Sequence, residues 1–258
     1  MKATPSVSIC EVFETLQGEG KSMGKPVTFV RFAGCNLECG SAPGAKWKCD
    51  TEKIWRVGKA ITIPDLGEQI LRISPSHIVF TGGEPLLWLD GILQLLDYMC
   101  KDQYVYFDSI EIETNGTLPL SVESAMKIRE HCDVLQINCS PKLSNSGMYV
   151  DERLVVPVLS NLVKLDSLKL IDLQFKFVVA DEADIEEVEG WFDFDSDTKI
   201  EGFDCVSLTS DKVVFMPAAE TRDALVAAMQ VLWPLLVNKG YHMTTRMHII
   251  AFDKKAGI

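Results

Sequence analysis

No two cysteines of this chain stand two residues apart, so the C-x2-C unit on which structural zinc sites are commonly built is missing. Basic residues are also short: 25 Lys and Arg face 37 Asp and Glu, for a formal net charge of -12. That balance argues against a nucleic acid spread over a broad basic face, though a local basic pocket could still take a small anion. There is no long apolar run either. The most apolar stretch, Ala224 to Val237, is broken by Gln230 and Pro234 and is too short to span a bilayer. The opening MKATPSVSICEVFE has no extended apolar core and no cleavage site. The expectation is a cytoplasmic protein with no membrane association. No repeat, low-complexity tract or linker divides the 258 residues, so one domain over 1–258 is expected, long enough for a substantial core.

What is present includes eight cysteines. Disulfides are rare in a reducing cytosol. Cys10, Cys100, Cys132, Cys139 and Cys205 are scattered singly, mostly in apolar or strand-like settings, and read as small buried hydrophobes. The other three cluster in a glycine-rich stretch, GCNLECGSAPGAKWKCDTEK, from Gly34 to Lys53. Cys35, Cys39 and Cys49 there are spaced C-x3-C-x9-C. Zinc could recruit Cys10 as a fourth ligand. A four-iron cluster on three thiolates would leave one iron open to a small molecule. Spacing alone leaves cluster, zinc and coincidence open.

Apolar runs alternate with helical patterns. Strands are expected at Val27–Phe32, His77–Thr81, Ser109–Glu113, Val134–Ile137, Leu173–Val179, Asp204–Leu208 with Val213–Met216, and Thr245–Ala251. Helices are expected at Pro64–Ile73, Asp90–Lys101, Ser121–Glu130, Ala183–Trp191 and Glu220–Asn238. This alternation predicts an α/β fold with a mostly parallel sheet and outer helices. Gly34, Gly82-Gly83, Asn115-Gly116, Ser140-Pro141 and Pro217 follow strands, so these breaks gather on the rim where parallel α/β sheets bind ligands. Residues 40–48 read as an insertion inside the cysteine loop. Residues 144–170, where the pattern is weak, read as a second one.

VFTGGEPLL, Val79 to Leu87, leaves an apolar strand through two glycines that admit a ligand close to the backbone. Glu84 there offers a carboxylate to an ammonium group; the plain alternative is a turn with a solvated glutamate. Arg31 alternates with Val30 and Phe32 and is expected to point into a barrel, where it needs an anion: a ligand carboxylate, or Glu14 or Glu19. By the same alternation Gln174 and Lys176 face inward, with Lys176 near bound ligands or paired with Glu113; a solvated edge lysine is the alternative.

The cysteine loop, TGGEP at Thr81–Pro85 and the strand–helix alternation resemble the radical S-adenosylmethionine enzymes. ETLQGEG at Glu14–Gly20, FVRFAGCNLEC at Phe29–Cys39, CDT at Cys49–Thr51, IETNGT at Ile112–Thr117, SPK at Ser140–Lys142, KFVV at Lys176–Val179 and a near-terminal His248 narrow the resemblance to the 7-carboxy-7-deazaguanine synthases. It covers nearly the whole chain. It departs at the cluster loop, where Ala42 stands at the third place of the common C-x3-C-x2-C motif and Lys46 where some relatives place the first cysteine of a closing C-x2-C.

The resemblance implies an incomplete TIM-like barrel and a lyase of 7-deazapurine (queuosine) biosynthesis. It implies a 4Fe-4S cluster on Cys35, Cys39 and Cys49. S-adenosylmethionine would be held by Gly83, Glu84, Ser140, Pro141, Lys142, Met216 and Pro217. Mg2+ would sit at Thr51, and 6-carboxy-5,6,7,8-tetrahydropterin would be held by Leu16, Gln17, Gly18, Arg31, Thr81, His248 and Ile258. It further implies a flavodoxin or ferredoxin electron donor and a homodimer. Two other readings stay open: a small activating-type enzyme of the same superfamily, and a zinc-stabilised domain without catalysis.

Overall fold

The structure, a computed structural model, describes residues 4–192, 203, 208–253 and 255. Its strands are β1 (Ser6–Leu16), β2 (Pro26–Phe32), β3 (Lys59–Thr62), β4 (His77–Gly82), β5 (Phe107–Thr114), β6 (Cys132–Cys139), β7 (Asp172–Val179), β8 (Val213–Pro217) and β9 (His242–Met243). They form a nine-stranded sheet in the order β3-β1-β2-β4-β5-β6-β7-β8-β9. β1 runs antiparallel to β2 and β3, and every pairing from β2 to β9 is parallel. β3 and β9 end the order without pairing to each other, so the barrel is incomplete.

The helices are α1 (Glu52–Trp55), α2 (Ile63–Ile73), α3 (Leu89–Asp97), α4 (Val122–Arg129), α5 (Val150–Arg153), α6 (Val156–Ser167), α7 (Glu182–Trp191), α8 (Arg222–Lys239) and α9 (Met247–Phe252). α2 starts with Thr62 accepting the Asp65 N–H and with Pro64 in its first turn. Residues 144–170 carry α5 and α6, so they hold the crossover helix that parallel strands β6 and β7 require. The strand expected at Thr245–Ala251 is instead helix α9; a short apolar run does not distinguish the two. The expected strand at Asp204–Leu208 lies largely outside the described residues.

Alternation along the parallel strands separates two faces. Val30, Phe32, Ile78, Phe80, Ile110, Ile112, Leu135, Ile137, Leu173, Phe175, Phe177 and Phe215 enter one apolar core under the helices. Each such side chain contributes roughly 1.5–3 kcal/mol of burial free energy. The intervening residues line the concave face, and register stacks them in rows. One row places Arg31 beside Thr81, Glu113 beside Asn138, and Asn138 beside Gln174. The row below holds Phe29, Val79, Glu111, Gln136 and Asp172. The lining is thus polar along β5, β6 and β7, while Phe29 and Val79 form a small apolar patch with Val27 and Phe13.

Candidate active site

The segment after β1 folds across this lining. The Gln17 amide donates to Glu111 Oε1 at 2.7 Å and to Glu113 Oε1 at 3.2 Å. Ser22 Oγ donates to Gln136 Oε1 at 2.9 Å, and the Gly20 N–H donates to Thr244 Oγ1 at 2.9 Å. Gly20 has φ +66°, a conformation that favours glycine, and a Cβ there would stand 2.8 Å from Gln174 Oε1.

Charges collect at its upper end. Lys176, 5% exposed, bonds the Glu19 carboxylate, and Arg246 Nε lies 3.4 Å from the other Glu19 oxygen. Burial alone would raise the Glu19 pKa, but Lys176 and Arg246 hold it at about 2. Lys176 is thus paired with Glu19, while Glu113 takes the Thr81 hydroxyl at 2.7 Å. Burial raises the Glu113 pKa, although the Lys176 charge opposes it and those of Glu111 and Glu19 add to it. Arg31 faces the lining, and its partner is neither Glu14 nor Glu19 but Glu11, at 2.7 Å across the β1–β2 rung. Leu16 is half-exposed at the end of β1. Gly18 lies under His248, whose pKa burial lowers. Ile258 is outside the described residues.

At the rim the cysteine loop closes on itself. Gly40 has φ +84°, and a Cβ there would fall 2.5 Å from Lys48 Cα. The two ends of the excursion therefore touch, and the Cys49 N–H donates to the Cys39 carbonyl at 3.3 Å. Nine intervening residues leave the third thiol beside the second, and Cys39 feels the charge of Cys49 as Cys35 feels that of Cys39. Burial pushes Cys35 up to about 11 and raises Cys39; bound iron would displace such protons. Among the described residues no three His, Cys, Asp or Glu side chains converge on a single-ion site. A cubane presents its irons at separate corners and needs no such convergence.

Gly83 packs on the same loop: a Cβ there would stand 2.2 Å from the Gly34 carbonyl oxygen and 2.6 Å from Cys35 Cβ. Glu84 is fully buried, and its carboxylate accepts from Asn115 N at 2.7 Å, Thr114 Oγ1 at 2.9 Å and Leu86 N at 3.0 Å. Lys142 donates to Ser140 Oγ at 3.0 Å and contributes its charge at Cys35, Cys39 and Glu84. Pro141 is buried between them. Met216 and Pro217 end β8 in register with Val178 and Val179. Thr51 is the N-cap residue of α1, yet its side chain makes no cap bond; its hydroxyl lies 3.5 Å from Cys49 Sγ.

Asn115 and Asn36 were not among the residues expected from sequence. The Asn115 amide donates to Asn36 Oδ1 at 3.0 Å and lies 3.9 Å from Cys35 Sγ. Asn36 donates to Thr117 Oγ1 at 2.8 Å. The NG dipeptide at 115–116 marks a strand break and a turn, without saying what the asparagine side chain touches.

No family model matches the chain. Curated relatives do. The 7-carboxy-7-deazaguanine synthase of Pyrobaculum aerophilum is 32% identical over 260 residues, covering 100% of both chains. Those of Halobacterium salinarum and Rhodopirellula baltica are 30% and 29% identical, over 96% and 98% of this chain and 91% and 89% of theirs. The crystal structure of QueE from Escherichia coli superposes with a TM-score of 0.60 at 22% identity, covering 94% of this chain and 95% of that one, and shares the fold. With full-length identity of this order, the chain belongs to the 7-carboxy-7-deazaguanine synthase family, whose members are radical S-adenosylmethionine enzymes with an iron–sulfur cluster.

Proposed function

We propose that this chain converts 6-carboxy-5,6,7,8-tetrahydropterin to 7-carboxy-7-deazaguanine with loss of ammonia. The observation that carries the reading is the closed cysteine loop, which sets Cys49 beside Cys39 and Gly83 against Cys35 at the mouth of a polar-lined barrel. Cys35, Cys39 and Cys49 hold the 4Fe-4S cluster. When bound and reduced, the cluster would supply one electron to S-adenosylmethionine and so open radical chemistry at C6 of the pterin.

The chain's own groups bind and orient. Gly83 offers main-chain groups to the methionine end, and Glu84 braces that turn from below with three accepted bonds. Lys142 supplies a cation for the cofactor carboxylate, Ser140 and Pro141 line the ribose side, and Met216 and Pro217 close the adenine side. Gln17 and Gly18 face the pterin edge with Thr81 beneath. Arg31 takes the substrate carboxylate in exchange for Glu11. The hydroxyl of Thr51, beside Cys49 Sγ, ligates Mg2+, which keeps its other positions for substrate and water oxygens. His248 closes the site from the C-terminal side.

A homodimer reduced by a flavodoxin or ferredoxin in the cytoplasm completes this reading. Among the described residues no helix is long and apolar enough to cross a membrane. The test is anaerobic: pterin, S-adenosylmethionine, Mg2+ and a reductant with the reconstituted protein. The deazapurine is the expected product, and iron–sulfur-loaded protein that forms none rejects the proposal.

A further inference from the structure

The excursion between Gly40 and Lys48 is tied down on both limbs. On the outbound limb the Gly40 N–H donates to the Ser146 carbonyl at 2.8 Å. On the return limb the Lys46 N–H donates to the Asn145 carbonyl at 2.8 Å, and Trp47 Nε1 donates to Asn145 Oδ1 at 2.8 Å. Asn145 is buried, and its own amide donates to the Val178 carbonyl and to Asp184 Oδ2, both at 2.8 Å. Lys46 Nζ then reaches Asp184 Oδ1 at 2.7 Å and Asp181 at 2.8 Å. Asp184 also accepts the Ala180 N–H at 2.7 Å, so this anchor belongs to the junction of β7 and α7 and not to a loop.

We propose that Lys46 and Asn145 are positioning residues for the third cluster ligand. They pin the excursion to the β7–α7 junction and so hold Cys49 beside Cys39, where a compact motif would place it. The inference rests on the reading of Cys35, Cys39 and Cys49 as the ligand set.

A free nine-residue spacer would sample many end separations, and each thiol outside the ligand geometry adds an ordering cost to assembly. Docking removes that cost before iron arrives. The ammonium of Lys46 is not needed to start α7, because Asp181 already caps that helix by accepting the Asp184 N–H. Its remaining structural consequence falls on the loop.

The test uses Lys46→Met, with Lys46→Arg as the rescue and Asp181→Asn as a second variant that weakens the same clamp from its exposed side. Each cysteine of the iron-free protein is alkylated without oxygen and followed by mass spectrometry. Cys49 is expected to react about fivefold faster in Lys46→Met, as for a half-exposed clamp on a local opening, with Cys132 in the core unchanged and Lys46→Arg near wild type. After reconstitution, Lys46→Met is expected to hold less iron per chain and to show an altered EPR spectrum of the reduced cluster. Unchanged Cys49 alkylation with an unchanged spectrum overturns the inference. So does equal acceleration at Cys49 and Cys132, which would mark general loosening. A wild-type chain that takes up no iron and sulfide defeats the functional reading instead, and the iron-free alkylation still decides whether Lys46 holds Cys49.

Discussion

The Glu84 carboxylate accepts the main-chain N–H of Asn115 at 2.7 Å, so the turn after β4 is bonded to the end of β5. With Thr114 Oγ1 and Leu86 N as further donors, this one buried side chain fixes two strand ends at the rim. Glu84→Ala strands all three donors and is expected to cost about 3 kcal/mol or more, read by urea denaturation. Desolvation pushes the Glu84 pKa from 4.5 to about 6, despite the three bonds and the Lys142 charge. The folded value lies above the unfolded one, so this contribution is complete below about 4.5 and is lost as pH rises to about 6. The loss is on the order of 2 kcal/mol. Glu84→Gln should abolish that slope; a variant with the wild-type slope in this window would show that the group does not titrate there.

Glu19 has the opposite sign. Its pKa is about 2 in the fold against an ordinary 4.5, because Lys176 and Arg246 outweigh desolvation. Its contribution is present above about 4.5 and lost as pH falls toward 2, by on the order of 3 kcal/mol. Glu19→Gln is expected to flatten the acid limb of the stability profile. Lys176→Met leaves the partly buried Glu19 without its main cation and is expected to cost about 3 kcal/mol at neutral pH. The double variant should recover part of that loss, which a double-mutant cycle by thermal unfolding would measure.

The parallel strands β2 and β4 to β8 were legible because their outward residues are apolar at every second position, whereas β9, only two residues long, carries no such pattern. β1 was not, and its bulge between Ile9 and Glu11 explains why. Val7 and Ile9 face the helical core, and past the bulge Val12 does, so the period slips by one and no clean alternation survives. The same slip brings Glu11 opposite Arg31, a partner that a regular strand pattern did not suggest. α6 was hidden for another reason. Val158, Leu159, Leu162, Val163 and Leu165 are buried and Pro157, Lys164 and Ser167 are exposed, but the helix starts after Val155, which offers no capping side chain to mark it. The three cysteines were visible by spacing, but Asn145 and Asp184, which hold their loop, lie about a hundred residues or more away and carry no local signal.

Gly83 makes a sharper test of the rim. A Cβ there meets the Gly34 carbonyl oxygen at 2.2 Å, and backbone yields far less readily than a flexible side chain. Gly83→Ala is expected to push the cluster loop away, lower iron per chain after reconstitution, and cost about 1–3 kcal/mol. Gly44→Ala is the control. It also has positive φ, at +92°, but nothing lies within 4 Å of its Cβ. The cost there is limited to backbone strain of about 1 kcal/mol, with iron content unchanged. Equal iron content in the two variants would mean that the contact of Gly83 with Cys35 has no bearing on the cluster.

Gly18 and His248 are joined by a contact of a different kind. A Cβ on Gly18 would stand 2.4 Å from His248 Nδ1, and here the opposing atom belongs to a side chain that can swing away. The main chains stay tied, since the Met247 N–H donates to the Gly18 carbonyl at 2.8 Å. Gly18→Ala should therefore leave the fold within about 1 kcal/mol of wild type while displacing the imidazole. Burial lowers the His248 pKa in the native arrangement, so a ring turned out toward water should titrate nearer its ordinary 6.5. NMR titration of the imidazole reads that upward shift directly, and His248→Gln gives the signal to subtract. If the imidazole keeps its lowered pKa in Gly18→Ala, the ring has not moved and the backbone has given way instead. In that case the Met247–Gly18 hydrogen bond is the part that broke, and faster amide exchange at Met247 would show it.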